Sequence, residues 1–159
     1  MKKSDYKVET LSINVDYDKN IYSAIGDGNY NSVYIFDDYF MDYSPEKSGK
    51  ATIEVGLLSF DKDVNTKEIL DTIKALGYRP AELYELLALG AQYPELQRNN
   101  LRIVALGTPR RGYVPIILGE THMRSLEATT FGVEGEERSW KSEYRYRFLI
   151  VKKSLPSHT

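Results

Sequence analysis

The sequence predicts an α+β fold of mostly antiparallel short strands with two consecutive helices, at about 65–77 and 80–93. Three observations predict it. Short runs with period-two alternation of apolar and polar residues lie both before and after the helices. Helical periodicity is concentrated in one continuous stretch between them. The connections between strand runs are short, which suits antiparallel neighbours and argues against a doubly wound parallel sheet.

Residues 6–15 open the series, with Leu11, Ile13 and Val15 on one face and Thr10, Ser12 and Asn14 on the other, the pattern of a half-buried strand. In residues 16–31, Ile21, Tyr22 and Ile25 suggest a short helical turn stopped at Gly26 or Gly28. Strands are expected at 32–36 and 52–60, separated by the longest loop, 37–50. The first long helix has a capping box, Asn65 with Glu68 three residues on, and a staple of Val64 with Ile69. Its apolar stripe is Ile69, Leu70, Ile73 and Leu76, and Gly77 supplies a left-handed stop.

Pro80 suits the first position of the second helix, whose Leu83, Leu86, Leu87 and Gly90 recur at helical spacing up to Tyr93. The pair is expected to pack antiparallel across the tight link Gly77-Tyr78-Arg79. Strands follow at 102–106, 113–118, 124–131 and 144–151, with an acidic loop at 132–139.

Composition narrows the functions available. At 159 residues with 42% hydrophobic and 28% charged side chains, the chain reads as one globular domain over 1–153 and a disordered tail at 154–159. Cysteine is absent, which removes disulfides, zinc-thiolate sites, iron–sulfur clusters and thiol catalysis. The N-terminal segment lacks the apolar core of a secretion signal, and no run approaches a membrane span, so the cytoplasm is the expected compartment. Residues 1–66 carry 12 acidic against 7 basic side chains, whereas residues 67–159 carry 14 basic against 11 acidic and hold every arginine.

No catalytic constellation assembles. Asp61-Lys62-Asp63-Val64-Asn65 has the spacing that begins a calcium loop, but Thr66 and Thr72 stand where glycine and a bidentate glutamate are needed. The same spacing at Asp16, Asp18 and Asn20 meets Ile21 in place of glycine. Asp37, Asp38 and Asp42 are the alternative metal ligands, and would support a carboxylate- or metal-dependent hydrolase. A histidine-based triad would have to use His122, because His158 lies in the tail; Ser125 is on the opposite face of the same strand. Gly26-Asp27-Gly28 lacks the further glycine and the strand–helix frame of a phosphate loop, and no cofactor is expected.

The candidate ligand-binding set is therefore the late arginines and aromatics: Arg110, Arg111 and Tyr113 at one turn, His122 and Arg124 near another, and Trp140, Tyr144 and Arg145 before the last strand. Such residue types anchor protein interfaces and stack on single-stranded bases. The bland alternative for each is core packing or an extended stem, most of all for Trp140.

The stretch Gly77-Tyr78-Arg79-Pro80 with Glu82 and Leu86-Leu87, then Trp140 and Arg147-Phe148-Leu149-Ile150-Val151, resembles the C-type-lectin-like fold. That layout is shared by formylglycine-generating-enzyme-like domains and the variable proteins of retroelements. The resemblance implies a binding module whose ligand face lies on the last strands and their loops. The generating chemistry needs cysteines, so it does not carry over. Residues 77–83, 93–97 and 103–107 are also similar to a conserved uncharacterised protein family of uncultivated bacteria, a likeness that implies no function. The expected function is recognition of a protein, peptide or small polar ligand. Single-stranded nucleic acid is the remaining alternative, and the acidic first part argues against it by repelling phosphate.

Overall fold

The computed structural model describes residues 2–34, 43–132 and 138–154. Residues 35–36 of the expected strand at 32–36, residues 37–42 of the expected loop at 37–50 with the candidate metal ligands Asp37, Asp38 and Asp42, most of the acidic loop at 132–139 and nearly all of the tail lie outside the described residues.

Two long strands start the sheet: β1 (Tyr6–Asp16) pairs antiparallel with β3 (Lys50–Phe60) along its whole length, Tyr6 facing Phe60 and Asp16 facing Lys50. Between them come α1 (Ile21–Gly26), capped by the Asn20 side chain, and β2 (Ser32–Tyr34). Then follow β4 (Val64–Asn65), α2 (Thr66–Ala75), β5 (Tyr78–Pro80), α3 (Leu83–Gln92), β6 (Arg102–Val104), β7 (Tyr113–Glu120), β8 (Met123–Thr130), β9 (Ser139–Trp140) and β10 (Tyr146–Lys152). Among the described residues one mixed sheet runs β1-β3-β10-β6-β7-β8-β2, with β5 on β10, and β4 and β9 form a separate pair. The fold is α+β.

The strand alternation is read twice by the core. In β10, Leu149 and Val151 join Val55, Leu57, Ile13 and Val15 on one face, and α3 covers them. Phe148 and Ile150 join Leu58, Val104 and Ile116 on the other, covered by α2 and Trp140. Leu83, Leu86, Leu87 and Leu89 of α3 are at most 1% exposed, and each such burial contributes about 1.5–3 kcal/mol.

The capping box at α2 is as expected: Asn65 Oδ1 accepts from Glu68 N–H at 2.8 Å and Glu68 Oε1 accepts from Asn65 N–H at 3.1 Å. Gly77, at φ 81°, ends the segment in the left-handed region.

Two expectations are corrected. Pro80 does not begin a helix; it sits in β5 opposite Ile150, and Glu82 precedes α3. A proline is compatible with this short strand because it stands at the strand's end, where no ladder N–H is demanded of it. The two helices do not pack as a pair, because β5 carries the chain past the edge of β10 and leaves them on opposite faces of the sheet. Strand pairing is mostly antiparallel, as expected, and the exceptions are β10, which runs parallel to β6, and β2, which runs parallel to β8. Among the described residues no helix is long and apolar enough to cross a membrane.

Candidate functional site

Helix α3 is apolar on nearly every side, and Glu85 stands in its midst with 0% exposure. A carboxylate so placed must be paired and hydrogen-bonded. Register supplies the partner: β5 pairs Arg79 with Val151 and sends its side chain toward the start of α3. Arg79 Nη1 donates to Glu85 Oε1 at 2.9 Å and Nη2 to Oε2 at 2.6 Å, a two-pronged fit of guanidinium to carboxylate. The Tyr17 hydroxyl donates to Oε2 at 2.6 Å, and the Glu82 N–H to Oε1 at 2.9 Å.

Burial pushes the Glu85 carboxyl up. The hydrogen bonds from Arg79, Tyr17 and Glu82 N–H together outweigh it and hold the group below the usual carboxylate range. The Tyr17 phenol moves up, through burial first and then its hydrogen bond to the glutamate. Glu85 is thus an ionised structural anchor. Lys47 adds a more distant charge, its Nζ 4.0 Å from Oε2.

Over this anchor opens a cleft of about 550 Å³. Its walls are residues 43–47, the segment of Arg79, Pro80 and Glu82, and residues 107–110. The last wall is drawn in by Gly107, whose N–H donates to Ala81 O at 2.8 Å. A Cβ on Gly107 would lie 2.5 Å from that oxygen, so the approach needs glycine.

Topology puts the cleft at the carboxyl ends of the parallel neighbours β6 and β10, beside Tyr17 just past the end of β1. Tyr43, Ser44 and Thr108 line it, together with the cationic residues Lys47 and Arg110 and the acidic residues Glu46 and Glu82. The Arg110 guanidinium lies 5.9 Å from the centre of the Tyr43 ring. Glu82 differs from Glu85 in its environment. Its Oε1 is buried and has no hydrogen-bond partner among the described residues. Burial first, then the charge of Glu85, raises its carboxyl above the usual range against the pull of Arg79 and Lys47.

The sequence-derived set divides between the two ends of the sheet. Arg110 lines the cleft, and Arg111 (exposed, φ 54°) and Tyr113 (half-buried) follow it in the turn into β7. His122, exposed in the β7–β8 turn, lies at the far end, as do Tyr144 and Arg145, which lead into β10. Tyr144 is 46% exposed, with the Arg102 guanidinium 4.8 Å from its ring centre.

Two members are enclosed rather than displayed. Trp140 is 1% exposed, packs edge-on against Tyr146 and Phe148, and donates from Nε1 to Thr66 Oγ1 at 2.9 Å. Arg124 is 4% exposed; Nη1 donates to Gly90 O at 2.7 Å, Nη2 donates to Gly28 O, and its guanidinium lies 4.9 Å from the Tyr30 ring centre. Both serve the core, because each satisfies its polar atoms on fixed protein groups.

Sequence reasoning missed Tyr17, Lys47, Arg79, Glu82 and Glu85. One signal was present for Glu85: a lone acid inside a helix apolar on all sides requires a buried cation. Among the described residues no group of three or more His, Asp or Glu side chains gathers to hold a metal ion. Compared with protein-family models, curated proteins and solved structures, the chain matches none. The likenesses to lectin-like domains and to the bacterial family therefore rest on the residues quoted for them.

Proposed function

We propose that this chain is a recognition module, not an enzyme, and that it takes a small polar ligand in the cleft walled by residues 43–47, 79–82 and 107–110. The observation that carries the reading is a concave, polar site built on a rigid base. Arg79 and Glu85 are locked to each other beneath it, while Lys47, Arg110, Glu46 and Glu82 line its walls. Its volume of about 550 Å³ falls within the roughly 300–1,000 Å³ typical of small-molecule sites. Its place beyond the carboxyl ends of parallel strands is one that open α/β sheets also use for ligands. The mixed lining favours a polar ligand over an apolar one, since several charged groups would lose water without replacement if an apolar body covered them.

The test is a ligand-observed NMR screen of organic acids, amino acids, sugars and nucleosides against the wild type and the double variant Lys47→Ala/Arg110→Ala. Compounds that bind the wild type should lose their signal changes with the variant, while its unfolding free energy stays within about 1 kcal/mol, as for surface substitutions. Tyr144→Ala/Arg145→Ala, at the other end of the sheet, should bind as the wild type does. Undiminished binding by the cleft variant would remove the proposal.

A further inference from the structure

We infer that a second copy of this chain docks edge to edge on the first half of β1, its residues 6–10 pairing antiparallel with the same residues here. β1 is an outer strand of the sheet, with β3 on one side. Main-chain groups of an antiparallel strand turn alternately to one side and the other. In β1 the even-numbered residues turn outward, away from β3. Asn14 shows it: its N–H donates to Gln92 Oε1 at 2.9 Å, and its carbonyl accepts from Gln92 Nε2 at 2.7 Å. Beside it, the Tyr93 hydroxyl donates to the Ser12 carbonyl at 2.8 Å.

The end of α3 thus closes the second half of this edge. In the first half Tyr6, Val8 and Thr10 turn their main-chain N–H and C=O outward by the same alternation, and among the described residues nothing takes them up. A strand edge in that state is a template for another strand.

Side chains select the occupant and the register. Lys7 and Glu9 are exposed on one face of the segment, while Tyr6 and Val8 are half-buried on the other, against the cluster that α2 covers. Residues that bond across a new antiparallel pair must both turn outward, so even meets even. With Val8 opposite Val8 of the second copy, Tyr6 lies opposite Thr10 of the second copy, and each such pair exchanges main-chain hydrogen bonds. Lys7 then faces Glu9 of the second copy, and Glu9 faces Lys7 of the second copy, at positions where opposed side chains stand closest.

Sliding the pairing by one step opposes Lys7 to Lys7 or Glu9 to Glu9, and like charges directly opposed destabilise a strand pair. A further step brings Val8 onto Ser12, whose carbonyl Tyr93 already holds, or onto the single turn Lys3–Asp5. Charged side chains on an edge deter unselective pairing, but the opposite signs of Lys7 and Glu9 make this edge complementary to itself under a two-fold axis.

The test is sedimentation velocity on the full chain and on charge exchanges in β1. A pairing this short buries less than a standard interface, so the wild type should dimerise weakly, with Kd between about 10 and about 200 µM. Glu9→Lys and Lys7→Glu each oppose like charges at both symmetric positions and should raise Kd at least about tenfold. Lys7→Glu/Glu9→Lys restores opposite signs and should return Kd to within about threefold of the wild type. Both side chains are exposed, so all three variants should keep the wild-type circular dichroism. A wild type that stays monomeric up to about 500 µM would overturn the inference. So would a dimer that survives both single exchanges, or one that the double exchange fails to restore, because either puts the contact elsewhere.

Discussion

Replacing Arg79 by methionine leaves Glu85 as a buried carboxylate without its cation. Breaking a buried pair from one side costs about 3–5 kcal/mol. Two features place this case near the lower end. Tyr17 and the Glu82 N–H still donate to the carboxylate, and the Arg79 side chain is 26% exposed, so water from the cleft can reach the space it leaves. The expected loss is about 3 kcal/mol at neutral pH, or about 6–12 °C in Tm for a chain of this size.

The pH dependence is diagnostic. In the wild type the folded Glu85 carboxyl lies below its unfolded value of about 4.3. Its stabilising contribution is therefore complete above that value and disappears as pH falls through the depressed one. In Arg79→Met, burial acts with far less opposition and the folded carboxyl rises above the unfolded value. That variant gains stability, relative to the wild type, as pH falls toward about 4. Urea unfolding at pH values of about 7, 5.5 and 4 should show the penalty shrinking stepwise with the m-value unchanged. A penalty below about 1 kcal/mol at neutral pH, or one independent of pH, would refute the buried-anchor reasoning.

Other substitutions test neighbouring parts of the structure. Trp140→Ala should cost about 3–5 kcal/mol in denaturant unfolding, since it empties a fully buried site and strands Thr66 Oγ1's partner position. Gly90→Ala should destabilise despite alanine's roughly 1 kcal/mol helix preference, because the new Cβ would lie 2.3 Å from the Tyr30 hydroxyl and 2.8 Å from Ile117 Cδ1. Tyr30→Phe removes a buried hydroxyl that has no partner among the described residues and whose pKa burial has pushed up to about 12. It should be neutral or mildly stabilising, and should soften the Gly90→Ala penalty in a double-mutant cycle. Glu82→Gln should stabilise relative to wild type near pH 8 and lose that advantage near pH 4 in thermal melts. A carboxyl raised by folding weakens the native state as pH climbs above its unfolded value of about 4.3.

Much of the fold was legible in local pattern. The capping box at Asn65 and Glu68, the left-handed Gly77 and the alternation of 6–15 and 144–151 each record a short-range physical demand, and each is met. What local pattern does not carry is pairing between distant segments. Nothing in Tyr78-Arg79-Pro80 announces a strand, because three residues hold too little periodicity and Pro80 resembles a helix start. Its strand character comes from β10, which is about seventy residues away in the chain. The parallel pairing of β6 with β10 is hidden for the same reason.

The site was legible only in part. Residue type singles out Arg110, which does line the cleft, but it singles out Trp140 and Arg124 equally, and these lie inside. Residue type fixes what a side chain can do, not which side of the sheet it meets. Arg79 and Glu85, a cation and an acid six residues apart, look like ordinary surface charge until β5 and α3 bring them face to face.

The most direct measurement is a map of backbone amide shifts on the full chain as small polar compounds are added. Binding at the cleft predicts changes concentrated in residues 43–47, 79–82 and 107–110, with Tyr144, Arg145 and His122 unmoved. Shifts gathered instead around His122, Tyr144 and Arg145, with the cleft silent, would contradict it and move recognition to the opposite end of the sheet.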